Sequence, residues 1–186
     1  MKRLILFALI TVVVFTASSM VQAQRRDHLT DEEIELVRDV QEVDKRMEIF
    51  VKAIERRLWV IEGKEKLTEE QLKRIEKDDD KWGPLPEGTK VQLLSDIEKI
   101  LNEAIDKLED VYDREPKNAL VPYALYVIAD YSESLIPKLQ ALAENNEDIR
   151  ELGLLESAAN HCQNILEARA NVPRPTKKRP KKKRTR

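Results

Sequence analysis

Apolar residues recur every three or four positions through most of this chain's middle, a period that only a helix turns into a single face. Val37, Val40, Met47, Val51, Ile54, Leu58 and Ile61 form the first series, with Asp44 in the slot where a further apolar residue belongs. Val43 and Phe50 widen it into a face suited to a bundle rather than a two-stranded coil. A second series is Leu94, Ile97, Leu101, Ala104, Leu108 and Val111. A third is Leu120, Ala124, Val127, Tyr131 and Leu135, and a fourth is Leu152, Leu155, Ala159, Cys162 and Leu166. With only four glycines in 186 residues and no apolar–polar alternation, the chain reads as all-α.

Helix starts are written in the sequence as capping boxes. Thr30 with Glu33 is the first, and Leu29 and Ile34 stand where a hydrophobic staple needs them. Thr68 with Gln71 repeats the arrangement, and Thr89 with Gln92 does so without the staple. The spacing predicts one long helix over 31–62 with Gly63 as its stop, then a short charged helix over 69–77. A loop over 78–88 follows, with Trp82 and Leu85 pinning it to the body. A second long helix covers 90–113 and ends before Pro116. A third begins at Asn118 as N-cap, carries Pro122 in its first turn, and is expected to kink or break near 134–136 ahead of Pro137. A fourth runs over 147–170. Four long helices with short connections predict an antiparallel, up-down-up-down four-helix bundle, with the short helix inserted in the first connection. No fixed-period repeat favours an open array of helical hairpins instead.

The two ends are unlike this body. Lys2 and Arg3, the apolar run Leu4 to Ala17, and Val21-Gln22-Ala23 have the layout of a secretory signal cut after Ala23. The run is short for a membrane span, and no second stretch is long enough for one. Three units follow: 1–23 signal peptide, 24–170 helical bundle, 171–186 tail. Of 33 Lys and Arg, two lie in the signal and nine in the tail, so residues 24–170 hold 22 bases against 35 acids, a net −13. Pro173, Pro175 and Pro180 forbid helix in the tail, and its charge density predicts disorder. Cys162, the single cysteine, allows no internal disulfide and falls on an apolar face, as a buried small hydrophobe does.

Residue types that carry chemistry are sparse. The only histidines are His28 and His161. Neither follows a Glu at the three-residue spacing that di-metal bundles use, since Arg25 and Ala158 hold those positions. Met47 and His161 are the sole core candidates for a haem held by one Met and one His. His161 and Cys162 are helix neighbours pointing about 100° apart, so they do not form a nucleophile pair. His161 reads as a half-buried histidine with an ordinary hydrogen bond, and His28 as exposed and mobile. Counted from Asp78, a calcium loop would need an oxygen ligand at Trp82 and a bidentate Glu at Thr89, so Asp78-Asp79-Asp80 reads as a solvated helix end. No catalytic residue, cofactor site or metal site is assigned.

Two binding features remain. Tyr112, Tyr123, Tyr126 and Tyr131 gather near one helix–helix junction and form a candidate ligand or partner face. Arg174, Lys177, Lys178, Arg179, Lys181, Lys182, Lys183, Arg184 and Arg186 form the electrostatic footprint of a polyanion binder. An anionic envelope polymer, an anionic lipid surface or a protein partner fits an exported chain better than nucleic acid does. The acidic body is a rival partner for the same tail.

The segment Val37-Arg38-Asp39-Val40-Gln41-Glu42-Val43-Asp44-Lys45-Arg46, behind a signal and ahead of a Pro-interrupted bundle, resembles uncharacterised exported bacterial all-helical proteins. The resemblance implies a bacterial envelope setting, periplasmic or extracellular, and carries over no activity and no site residue. The expectation is therefore a non-enzymatic exported bundle that binds through its tail. The alternative is a ligand- or metal-responsive carrier or sensor.

Overall fold

A computed structural model describes residues 27–144 and 146–176. The segment 1–23, read above as a signal, and Lys177 to Arg186 lie outside these residues. Within them the chain is all-helical, with six α-helices, one 3₁₀ turn at Lys64–Lys66 and no strand. The helices are α1 (Asp31–Asp39), α2 (Val43–Glu62), α3 (Glu69–Trp82), α4 (Lys90–Arg114), α5 (Val121–Ala143) and α6 (Ile149–Ala170). No described helix is long and apolar enough to cross a membrane.

All three capping boxes form. Thr30 Oγ1 accepts from the Glu33 N–H at 3.3 Å while Glu33 Oε2 accepts from the Thr30 N–H at 3.0 Å. Gln71 closes on Thr68, and Gln92 on Thr89, in the same way.

The first helix is not continuous. It breaks after Asp39, where Val40 is extended, and resumes at Val43. No Gly or Pro forces this. The break lets α1 fold back so that Glu33 reaches Arg56 and Arg57 on α2, and Arg46 Nε takes the Val40 carbonyl at 2.7 Å. Asp44 thereby falls in the first turn of a helix, where a carboxylate meets the positive end of the helix dipole.

Other features differ from the sequence reading. Helix α5 starts at Val121 behind Leu120 as N-cap, not at Asn118, whose Oδ1 instead accepts from the Leu120 N–H at 2.9 Å in the preceding turn. Helix α3 runs on to Trp82 rather than ending near Lys77, because Asp78 pairs with Lys52 at 2.9 Å and Trp82 is buried. Gly83, at φ +64°, provides the stop. Helix α5 passes through Pro137 without a break. Leu135 and Leu139 are buried on either side of it, while Pro137 itself is exposed. Packing on that face outweighs one lost backbone hydrogen bond.

Helix α2 packs on α4 and α5, and α6 packs on the same two; the backbones of α2 and α6 do not approach closely, and those of α4 and α5 do so only lightly. In an up-down-up-down bundle the first and last long helices would be neighbours; here they stand at opposite corners. The short helix is tied to α2, with Asp78 opposite Lys52 and the Trp82 carbonyl accepting from Arg56. Helices α4 and α6 run parallel, since Lys90 pairs with Glu151 and Glu98 with Ser157 and His161. Helix α5 runs against α6, with Asp130 opposite Arg169 and Tyr126 opposite Val172. The core between them includes Met47, Phe50, Ile54, Ile97, Leu101, Ile128 and Cys162, all fully enclosed.

Candidate functional site

The described part of the tail leaves α6 along a seam with α5. After Ala170 the chain turns, and the Val172 carbonyl accepts from the Tyr126 hydroxyl at 2.9 Å. That bond aims Arg174 back down α5. Its guanidinium donates to both Asp130 oxygens at 2.5 and 2.8 Å and lies 4.8 Å from the centre of the Tyr126 ring. Arg169 adds bonds to Asp130 at 3.2 Å and Glu133 at 3.0 Å. The Glu133 hydrogen bond, with Asp130 behind it, holds the Arg169 guanidinium above its usual range. Two cations thus share one carboxylate, with a second beside it. Of the nine predicted tail bases, Arg174 alone falls within the described residues; the other eight, Lys177 to Arg186, lie outside them.

Beside this seam, α4, α5 and α6 diverge and leave a cleft of about 800 Å³. Ile105, Leu108, Tyr112, Leu125, Ile165 and Val172 supply its apolar wall, and Glu109, Lys117 and Glu167 its charged margin. Its size falls in the range of small-molecule sites, and it is open to solvent.

The tyrosines do not form one face. Tyr112 lines the cleft and is 56% exposed. Tyr126 serves the tail root. Tyr123 is half-buried on the first turn of α5. Tyr131 turns inward with its hydroxyl enclosed and without a hydrogen bond. Burial, and then the negative charge of Glu55, push its pKa well up. Residues 123, 126 and 131 share a helix but not a direction, which sequence proximity conceals.

The largest feature unread in the sequence is a buried ionic cluster. Arg57 donates to Glu33 Oε1 at 2.9 Å and Oε2 at 2.7 Å, to the Ala53 carbonyl at 2.8 Å and to the His28 carbonyl at 2.6 Å. Its Nε lies 3.6 Å from Asp96. Arg56 donates to Glu33 at 3.1 Å and to the carbonyls of Trp82, Gly83 and Pro84, and it stacks over the Trp82 ring. Burial lowers its pKa, and Glu33 pulls the other way. All four charged residues are almost fully enclosed. The cluster ties α1, α2, the α3–α4 loop and α4 together. One signal was available: Arg57 continues the stripe Val43–Phe50 at seven-residue spacing, so a charged residue stands where a core residue belongs.

The remaining candidates fall into place. Cys162 is a free, buried thiol, and burial raises its pKa to about 11. His161 is half-buried, 3.3 Å from Glu98, as expected. His28 is not free: its Nε2 lies 2.8 Å from Glu103, and its ring is half-buried. Met47 is fully enclosed on α2, while His161 is half-buried on α6 and bonds Glu98 at 3.3 Å. Among the described residues no group of three or more His, Cys, Asp or Glu could hold a metal ion. No protein-family model, no curated protein and no solved structure matches this chain.

Proposed function

We propose that this chain is an exported, non-enzymatic helical protein of the bacterial cell envelope that binds polyanionic partners through its basic tail. The four long helices act as one bundle, a folded mount from which the tail is presented. The observation that supports this reading most directly is the tail root. Tyr126 and Asp130 fix Val172 and Arg174 on the body, and eight further bases follow within the next twelve residues. A polymer of phosphates or an anionic lipid surface suits that charge, because binding by a Lys/Arg tract rests on counterion release rather than on shape. The test is binding to anionic and neutral vesicles, and to polyphosphate, across a salt series. Full-length protein is expected to bind anionic targets with steep salt dependence, and protein ending at Thr176 to lose that binding. Equal binding by both would remove the tail from the function.

A second reading, a ligand-responsive carrier, is favoured by the apolar cleft beside Tyr112. It predicts a small apolar molecule retained on purification from the native envelope and lost when Tyr112 is replaced by Asp.

A further inference from the structure

We infer that the seam formed by Tyr126, Asp130 and Glu133 is a latch for the tail's own Val172–Pro173–Arg174–Pro175 segment, and that external polyanions and this latch compete for the tail. The inference rests on the polyanion-binding reading and adds its regulation.

Three separate contacts read the segment. The Tyr126 hydroxyl takes the Val172 carbonyl at 2.9 Å. The Tyr126 ring stacks on Arg174, a planar cation suited to an aromatic face. Asp130 receives two hydrogen bonds from Arg174. One tyrosine therefore binds both the backbone and the side chain, and Pro173 and Pro175 restrict the backbone that carries Arg174. A lone surface ion pair contributes little. Here the backbone bond, the stack and the carboxylate act on one short, proline-stiffened segment, so less freedom is lost in closing it.

The competition follows from charge. In the latched state Arg174 is engaged by Asp130, with Glu133 alongside, so a polyanion that takes up Arg174 must approach these two carboxylates. A polyanion on the tail is repelled by both until the segment lifts. Its apparent affinity is then reduced by the fraction of molecules still latched. Salt weakens the latch and the external contact together, so the competition is sharpest at low ionic strength. Arg169 keeps its own bonds to Asp130 and Glu133, so the seat stays partly neutralised and intact once Arg174 leaves.

A spin label on Thr176→Cys reports the latch directly. The native Cys162 is enclosed, and its high thiol pKa keeps it unreactive. In full-length protein at low salt the label is expected to move slowly. Arg174→Gln, which alters no body residue, Asp130→Asn and Tyr126→Leu are each expected to free it. Added polyphosphate should free it in the parent. At low salt Asp130→Asn should also bind polyphosphate about three- to fivefold more tightly than the parent. A label equally mobile in the parent and in Arg174→Gln would overturn the latch. A label that stays slow while polyphosphate is bound, or an Asp130→Asn affinity equal to the parent's, would overturn the competition. If no protein form binds polyphosphate but the label still responds to Arg174→Gln, the latch stands and the polyanion reading falls.

Discussion

Arg57 and Glu33 meet through two parallel hydrogen bonds of 2.9 and 2.7 Å, with both side chains shielded from water. Glu33 is also the residue that closes the capping box on Thr30. One carboxylate thus starts the first helix and bonds two guanidiniums on the second, with Asp96 supplying the second negative charge of the cluster. Removing it leaves Arg56 and Arg57 buried against each other, the costly outcome for an enclosed ion pair.

Glu33→Gln separates the two duties. Glutamine closes the other two capping boxes of this chain, at Gln71 and Gln92, so the cap survives and the charge is lost. The expected cost is about 3–5 kcal/mol in urea unfolding. A cost below about 1 kcal/mol, the scale of a cap alone, would mean that the cluster is not held by charge.

Leu101 is fully enclosed on α4. Leu101→Ala should cost about 2–5 kcal/mol, measured by the same unfolding curve. A near-zero value would mean that the core does not pass through this face.

Pro137 sits on the exposed side of an unbroken helix. Pro137→Ala restores a backbone donor and removes a ring clash, so a gain of about 1 kcal/mol or more is expected in thermal unfolding, less than the full propensity difference. Destabilisation would show that the ring is needed where it stands.

Burial lifts the Cys162 thiol from 9.0 to about 11, against the opposing Ser132 hydrogen bond. A raised acid pKa favours the neutral form in the folded state. Its contribution is complete below about pH 9 and is lost as pH rises through about 11. Tyr131 shifts in the same direction. Unfolding free energy should therefore fall over that alkaline window, and the fall should be shallower in Cys162→Ala. A slope equal in both proteins would remove the thiol from the effect.

The export reading is checked by the mass of protein from the native host. An N-terminus at Gln24 is expected. Retention of residues 1–23 would favour an anchored form.

Local chemistry was legible in the sequence wherever it acts through neighbours a few residues apart. The three capping boxes, the buried stripe of α4 and the enclosed Cys162 all follow from spacing and residue type. What was hidden depends on distant partners. The break after Asp39 exists because Glu33 must reach Arg56 and Arg57, more than twenty residues on. The extension of α3 to Trp82 depends on Lys52, and the continuity of α5 at Pro137 on what packs under Leu135 and Leu139. His28 looked free because Glu103, its partner, lies 75 residues away. The candidate site divides in the same way. The basic character of Arg174 is plain from composition, but its seat on Tyr126 and Asp130 requires two helices to lie side by side.

The double duty of Glu33 also makes the lead into the first helix vulnerable to proteolysis. The segment just ahead of Glu33 is itself tied to the body, since the His28 carbonyl accepts from Arg57 at 2.6 Å. A protease that trimmed this lead past Thr30 would first strip the cap and then, within three residues, the carboxylate that bonds two enclosed guanidiniums. The lead into the first helix is therefore the point at which the body is most easily undone, because a cap and a buried counter-charge are lost there within a few residues.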